Sequence, residues 1–544
     1  MKIVRLENVE YVHAGITAFQ QGDLDSAANY LEKACIQDPN EAELWALRAS
    51  IELRRCNHKE HDIFLSRAMK IEPRNGYFYI RAALACSPMM ESKQQIAQAR
   101  ARMKHRLSLL EKKARHFQLR DPLGKVLFVG SDGAGKEIEH NSHLNFFTVY
   151  HGEDEYAIST SLFRSIGKMF PFLHFRAPHV GRKRTNRIKI GIFSTNLRLH
   201  TIGLLFSGIL ARLNQDIFEP VLITTECKTD SLTEELIQRF GRVLFVSRDV
   251  VLTIRTIAAE GFDILFYPDI GMDTFMSFVA MARLATTQCC TWGHPVTTGI
   301  PNMDSFLYMD DVAKDSERYT ETIITTNLSN FFYSKPVLDN LVSRADLELP
   351  DGNLYGCPQT LFKFHPDFDD IILNILDRDP NGVLVLIGAG PKNWKDIFIA
   401  RLRSKMADID KRIHWTGKLP RKKFLELLSC FDVMLDPFPF GGGNTTLEAF
   451  AMGTPVVTMP TEFARCRLAS VFYKQMCYEE LVAADPEHYI ELALEVVRDP
   501  QNRAYAKRRI EESRDILYLN AEAVGQFEES LLKAYEYGLR KQNT

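Results

Sequence analysis

Apolar positions in the first part of the chain recur at helical spacing and then repeat as a unit. In "FQQGDLDSAANYLEKACIQDPNEAELW" the stretch after Gly22 sets Ala27, Ala28, Leu31, Ala34 and Cys35 on one helical face. The pattern returns after 34 residues: Tyr11 with Trp45, Gly15 with Ala49, Leu31 with Leu65, Ala34 with Ala68, Pro39 with Pro73. Small residues at helix crossings and a proline after the second helix are the tetratricopeptide pattern at that period. Two repeats are complete, and a third begins at Gly76, keeps phase at Tyr79 and Ala83, and decays. Such units bury their faces by stacking, so two to three of them are expected to lean on the next part of the chain. They serve either as a helical cap or as a surface for peptide binding or oligomerisation. Residues 88–120 are polar and basic and predict an exposed or bridging helix. "GKVLFVGSDGAGKEIEHN" (124–141) imitates a phosphate loop, but Glu137 follows Lys136 where Ser or Thr is needed, so it predicts a strand and turn only.

From Arg187 the periodicity changes. "RIKIGIFSTN", "FEPVLITTE", "RVLFVS" and "FDILFYPDIG" are apolar strand-length runs separated by helical stretches such as "TIGLLFSGILARL" and "DSLTEELIQRFG". The alternation, which reaches "SFLYMDD", predicts a doubly wound parallel sheet. It restarts at "GNLYGCPQTLFKFHPDF" and runs through "GVLVLIGAG", "RIHWTGKLP", "DVMLDPFPFGGG" and "PVVTMP". The chain therefore divides into helical repeats (1–115), a linker or intervening region (116–186) and two Rossmann-like halves (187–345 and 346–544). Ligands of such sheets bind outside the carboxyl ends of the strands, so the expected site is the cleft between the halves. Neither half has G-x-G-x-x-G after its first strand, which disfavours a dehydrogenase; "GAGPKNW" (388–394) is a weak echo.

Composition removes several function classes. The 544 residues exceed one core, and a net charge of −2 gives no general attraction to nucleic acid or anionic lipid. The basic runs Arg182-Lys183-Arg184 and Arg421-Lys422-Lys423 read as solvated surface. Ten scattered cysteines (35, 56, 86, 227, 289, 290, 357, 430, 466, 477) contain no C-x-x-C and read as reduced thiols. The N-terminus lacks an apolar signal core, and no apolar run reaches the roughly 18 residues of a membrane span. A cytoplasmic location is the resulting expectation.

The candidate chemistry lies in strand-end loops. In "FPFGGGNTTLEAFAMGTPVV" the run from Asp436 to Asn444 is a loop opening a helix at Thr445-Thr446. Free N–H groups at a helix start, glycines and threonine hydroxyls suit phosphate oxygens, whereas Glu448 offers the acceptor that a ribose diol needs. Lys363, in "CPQTLFKFHP", follows the strand that opens the same half and is placed to stabilise a leaving diphosphate. In the first half His200, Asp269 and His294, with Thr297, Thr298 and Gly299, offer proton-transfer and acceptor contacts at strand ends. Taken singly, each also has an ordinary structural reading: a glycine turn with a capped helix, a surface lysine, core or capping polar residues.

"TWGHPVTTGIPNMD", "CPQTLFKFHP" and "DVMLDPFPFGGGNTTLEAFAMGTPVVTMPTEF", in that order behind the repeats, resemble glycosyltransferase family 41 over roughly residues 187–535. The resemblance implies a GT-B pair behind a short tetratricopeptide array, and inverting, metal-independent transfer from a nucleotide sugar to a protein side chain. It assigns the donor diphosphate to Lys363 and the ribose to Glu448. The phosphates fall to Gly442, Gly443, Asn444, Thr445 and Thr446, with Gln359 a further donor contact and Leu419 where backbone holds the base. His200 and Asp269 become the residues that orient the acceptor or take its proton, and His294, Thr297 and Thr298 lie on the acceptor side. His294 stands where animal enzymes have tyrosine, and Asn444 where they have histidine.

The donor is expected to be UDP-linked, UDP-GlcNAc or UDP-Glc, with no cofactor and no metal. The partner is expected to be a protein or peptide modified on a Ser/Thr hydroxyl or an Asn amide. Two other readings remain open at this point: a transferase acting on a glycan or lipid-linked acceptor, and a non-catalytic repeat scaffold that binds nucleotide sugar. Because the donor residues all come after residue 358, the repeats are expected to border the acceptor side, and their removal to spare donor binding.

Overall fold

The computed structural model describes residues 2–543 except 7–8, 118–120, 131–134, 140–143, 184–185, 226–228, 310–315, 328–330, 339, 341 and 389. Arg184, Cys227 and the turn of the phosphate-loop imitation at 131–134 therefore lie outside the described residues.

The repeat periodicity becomes five helices, Glu10–Gln21, Leu24–Gln37, Ala42–Arg54, His58–Ile71 and Gly76–Leu84. Asp23 and Asn57 cap the second and fourth, accepting from the N–H groups of Ser26 and Glu60. The small residue of each period has a steric cause: a Cβ on Gly15 would stand 2.8 Å from Leu31 Cγ. The helix Lys93–Lys113 buries Ile96, Ala99, Met103, Leu107 and Leu110, so of the two expectations for 88–120 the exposed helix gives way and the bridging one fits. Its charge pattern hid the apolar stripe.

The intervening region is ordered where it is described. The strand β1 (Lys2–Arg5) pairs in parallel with β2 (Lys125–Val129), which pairs antiparallel with β3 (Gly135–Glu139). The chain's first residues are thus held by residues more than a hundred positions later.

The next sheet holds β4 (Ile188–Phe193), β5 (Phe218–Thr224), β6 (Val243–Phe245), β7 (Ile264–Tyr267), β8 (Thr287–Thr291), β9 (Ser305–Met309) and β10 (Thr322–Thr326). All its pairings are parallel, in the order β10-β9-β8-β7-β4-β5-β6. The last sheet holds β11 (Asn353–Cys357), β12 (Gly382–Ile387), β13 (Ile413–Thr416), β14 (Val433–Leu435) and β15 (Val456–Val457). It is also parallel, in the order β13-β12-β11-β14-β15. Each sheet reverses its winding once, between β4 and β7 in the first and between β11 and β14 in the second. A crevice opens at such a point because the connections on its two sides cover opposite faces.

The last helix, Ala521–Asn543, returns to the first half and packs on β8 and β10. A Cβ on Gly538 would lie 1.8 Å from Thr287 Oγ1, so only glycine allows that approach.

The repeats touch more than the first half. Trp394 Nε1, in the second half, donates to the Arg54 carbonyl at 2.9 Å, and Arg401 Nη1 donates to the Met90 carbonyl at 2.7 Å. The front of the chain therefore also contacts the second half, beyond the acceptor side that the sequence suggested.

Candidate active site at the two switch points

In the second half, Tyr355 and Gly356 of β11 pair with Val433 and Met434 of β14, so the loops after these strands leave side by side. This register brings Lys363 to the glycine loop. Lys363 ends a 3₁₀ turn, Leu361–Lys363; its Nζ donates to Gln359 Oε1 at 2.9 Å and to the Gly441 carbonyl at 3.2 Å. The Phe440 ring centre lies 4.9 Å from the ammonium. The side chain keeps part of its surface, yet its charged end is enclosed by these groups, and that burial pulls the pKa down to about 8 against the opposing pull of Asp436.

Asp436 sits beneath the loop. Its Oδ1 accepts from the Gly442 N–H at 2.6 Å and its Oδ2 from Thr458 Oγ1 at 2.8 Å. Burial raises its pKa to about 6. The glycines are required by this crowding: a Cβ on Gly441 would lie 2.9 Å from Asp436 Oδ2, and one on Gly442 would lie 2.9 Å from both Gln359 Nε2 and Thr446 Oγ1. Thr446 Oγ1 donates to the Gly442 carbonyl at 3.1 Å, and the helix starts at Asn444. Gln359 Nε2 is buried without a hydrogen-bond partner, a donor ready for an incoming oxygen. Gly443 faces the first half, where its Cβ would stand 3.5 Å from Trp292 Cζ3.

Glu448, buried on that helix, is bound by residues that sequence reasoning missed. Arg421 Nη1 lies 2.8 Å from Glu448 Oε1, and Arg421 Nη2 donates to Tyr333 Oη at 3.0 Å. Tyr333 Oη in turn donates to Glu448 Oε1 at 3.4 Å. Burial raises the Glu448 pKa, and Arg421 opposes it. Arg421 is exposed, as the solvated-surface reading expected, and the structure adds its pairing with the buried Glu448. The available signal was its place two residues after Leu419, at the mouth of the β13 loop. Leu419 itself is half-buried there.

In the first half, Asp269 follows β7 and faces the loop after β4 across the switch point. Its Oδ2 accepts from Asn196 Nδ2 at 2.8 Å, while its fully buried Oδ1 has no partner. Burial raises its pKa to about 6. His200 caps the helix Thr201–Leu210, its Nδ1 accepting from the Ile202 N–H at 3.3 Å. His294 is buried with its pKa lowered to about 4, stacked on Phe146 at 5.9 Å and 17°. Gly271, at φ +100°, admits it, since a Cβ there would lie 2.4 Å from His294 Cδ2. Thr297 and Thr298 are engaged with Glu321: Thr297 Oγ1 donates to Oε2 at 2.9 Å and the Thr298 N–H to Oε1 at 2.9 Å. The structure thus joins Lys363, Gln359, Gly442 and Thr446 in one knot. It places Asp269 at the other switch point and ties Thr297 and Thr298, after β8, to Glu321 just before β10.

Three D-x-D triplets occur in the second half, Asp367-Asp369, Asp377-Asp379 and Asp408-Asp410, and the second acid of each has a structural partner. Asp369 pairs with Arg401 at 2.6 Å, Asp379 accepts from Tyr355 Oη at 2.8 Å, and Asp410 pairs with Arg403 at 2.8 Å. Among the described residues no group of three or more His, Cys, Asp or Glu is placed to hold a metal ion, and no helix is long and apolar enough to cross a membrane.

The model of glycosyl transferase family 41 matches residues 333–521, the part that carries Tyr333, Lys363, Arg421 and Glu448. A UDP-glucose:protein N-beta-glucosyltransferase of Actinobacillus pleuropneumoniae serotype 5b is 25% identical over 258 residues, 47% of this chain and 41% of that protein. A probable UDP-N-acetylglucosamine–peptide N-acetylglucosaminyltransferase SPINDLY of Petunia hybrida is 23% identical over 329 residues, 58% of this chain and 34% of that protein. The chain thus spans less than half the length of these relatives. Among solved structures, a mutant of the Thermobaculum terrenum O-GlcNAc transferase superposes with a TM-score of 0.68 at 20% identity, covering 98% of this chain and 97% of that one. The fold is therefore the one the resemblance implied, helical repeats followed by a GT-B pair.

Proposed function

We propose that this chain transfers a sugar from a UDP-linked donor to a protein side chain, with inversion and without a metal ion. The observation that carries the reading is the buried ammonium of Lys363 beside the Gly441–Gly442 backbone, at the switch point of the half matched by the family model. In this reading the donor diphosphate lies over the start of the helix Asn444–Ala451, where N–H groups without intrahelical partners meet it. Lys363 and Gln359 Nε2 then oppose the charge that grows on the diphosphate as the anomeric bond breaks. Glu448 accepts from the ribose hydroxyls, and Arg421 shifts from its carboxylate or shares it.

The acceptor group attacks the opposite face of the anomeric carbon and gives up a proton. His200 is poorly suited to take it in this arrangement: its Nδ1 lone pair already caps a helix, which leaves Nε2 carrying hydrogen. Asp269, with an unpartnered Oδ1 and a pKa near 6, has acceptor capacity. His200 then orients the acceptor and Asp269 receives the proton.

The deciding experiment incubates the purified chain with UDP-Glc or UDP-GlcNAc and candidate proteins from its own source, and reads intact masses. An added hexose or N-acetylhexosamine on a protein supports the reading. Donor binding without any transfer, or transfer to glycans alone, overturns it.

Two further outcomes are expected. Glu448→Gln raises the donor KM and leaves kcat near the parent value, because a ribose contact acts equally in ground and transition states. A lowered kcat at unchanged KM would remove that role. Chelation by EDTA leaves turnover unchanged, since the diphosphate place is served by Lys363 and backbone N–H groups. Activity lost to EDTA and restored by Mn²⁺ or Mg²⁺ would refute the lysine-based mechanism.

A further inference from the structure

Residues 145–155 lie across the seam between the two halves. On the side of the second half, Tyr150 packs its ring 4.7 Å from both Phe362 and Phe440, and Phe147 lies 5.7 Å from Phe362. Arg465 Nη2 donates to the Glu153 carbonyl at 2.9 Å. A Cβ on Gly152 would stand 2.8 Å from Pro439 Cγ. On the side of the first half, Phe146 stacks on His294, and Val296 joins Val149, Tyr150 and Phe440 in a separate apolar cluster. Phe362 directly precedes Lys363, and Phe440 carries its ammonium.

The segment is tied to the helix Lys93–Lys113 by one side chain. Arg100 Nη1 donates to Glu155 Oε1 at 2.6 Å and to the Thr148 carbonyl at 3.4 Å, and Nη2 donates to the Asp154 carbonyl. Thr148 Oγ1 completes the ring by donating to Glu155 Oε2. Arg100 and Glu155 are both buried, at 4% and 2% exposure, so this ion pair exchanges little with water. The helix Lys93–Lys113 comes directly after the last repeat, so the pin couples the front of the chain to the catalytic cleft.

We propose that residues 145–155 form a strap that closes the apolar side of the Lys363 pocket, with Tyr150 and Arg100 as its positioning residues. This rests on the reading of Lys363 as the cation that meets the donor diphosphate. Tyr150 packs on Phe362, the residue before the lysine, and holds Phe440 against the ammonium, while Arg100 holds the segment that carries Tyr150. Water that would hydrate the ammonium is excluded, which strengthens its field at the diphosphate. The titratable groups facing Lys363 are Asp436 from the loop after β14, Cys357 at the end of β11 and Cys466 from the 3₁₀ turn Ala464–Cys466. The strap's own titratable groups, Tyr150, His151, Glu153, Asp154 and Glu155, are not among those that act on Lys363, so loosening it changes solvation more than charge.

The test reads the Lys363 proton directly and requires no substrate. The full chain is pulsed with acetic anhydride across a pH series, and Lys363 acetylation is followed by peptide mass spectrometry. The parent midpoint is expected near 8. In Arg100→Met and in Tyr150→Leu, which keeps an apolar side chain and so preserves folding, it rises by at least about one unit toward the ordinary lysine value. Tyr150→Phe keeps the parent midpoint. The alkaline limb of kcat/KM moves with the midpoint in each variant. A midpoint that stays at the parent value in a cooperatively melting Tyr150→Leu overturns the proposal. If the midpoint moves but the parent transfers no sugar, the strap stands and the transferase reading falls.

Discussion

Replacing Lys363 by methionine is expected to lower kcat by at least about 10²-fold, the scale set by removing one preorganised charge stabiliser. The melting temperature should hold or rise. Methionine keeps the stem's volume, and the ammonium it replaces is held in an enclosed pocket at a cost in solvation, as its pKa near 8 records. The two lost hydrogen bonds, to Gln359 Oε1 and the Gly441 carbonyl, oppose this gain. Activity and stability therefore separate, which distinguishes a catalytic cation from a structural one.

The pH dependence carries the same signature. Below about 8 Lys363 is charged in the free enzyme, and kcat/KM should fall as pH rises through that value. The stability term has the opposite sign. Between about 8 and the ordinary lysine value the unfolded chain binds the extra proton, so this group's contribution to stability rises with pH there. A parent profile flat to pH 10, or a methionine variant with near-parent turnover, would end the assignment of Lys363.

Removing residues 1–115 is expected to abolish both donor binding and transfer, because the remainder does not keep its fold. The cut deletes β1 and leaves the edge of β2 unpaired over Val126–Val129. It strips Arg100 from the buried Glu155, and breaking such a pair from one side costs about 3–5 kcal/mol. Trp394 and Arg401 also lose the carbonyls of Arg54 and Met90. Against a typical total stability of about 5–15 kcal/mol, these losses together are decisive. Circular dichroism melting and calorimetry with UDP on the truncated chain check the outcome. A truncated chain that melts cooperatively and binds UDP as the full chain does would show the repeats to be an independent appendage.

Local pattern alone fixed a good deal of this protein. The 34-residue period specifies the stacked helices, because Gly15 must admit Leu31 wherever the pair stands. Strand-length apolar runs followed by glycine and hydroxyl residues specify loops at the carboxyl ends of strands. Lys363, Glu448 and the 442–446 loop were legible as candidates for that reason, each following a strand or opening a helix within a few residues, whereas Gln359 entered only through the family resemblance. The strand β8 was not legible. Thr287, Gln288 and Thr291 do not alternate as a strand should, and their polar atoms find partners only in place, such as the Ala534 and Leu307 carbonyls.

Strand order decided the rest. Lys363 meets the Gly441 carbonyl across 78 positions of sequence only because β14 pairs with β11. Arg421 closes on Glu448 from the far side of the same loop, and Tyr333 reaches both from before the second sheet begins. The strap is the clearest case. "FFTVYHGEDE" has no periodicity that marks it, and its meaning comes from an arginine 55 positions earlier and phenylalanines more than two hundred positions later. Local propensity acts over a few residues, whereas a site assembled from distant loops depends on how sheets wind and on which buried charges find each other.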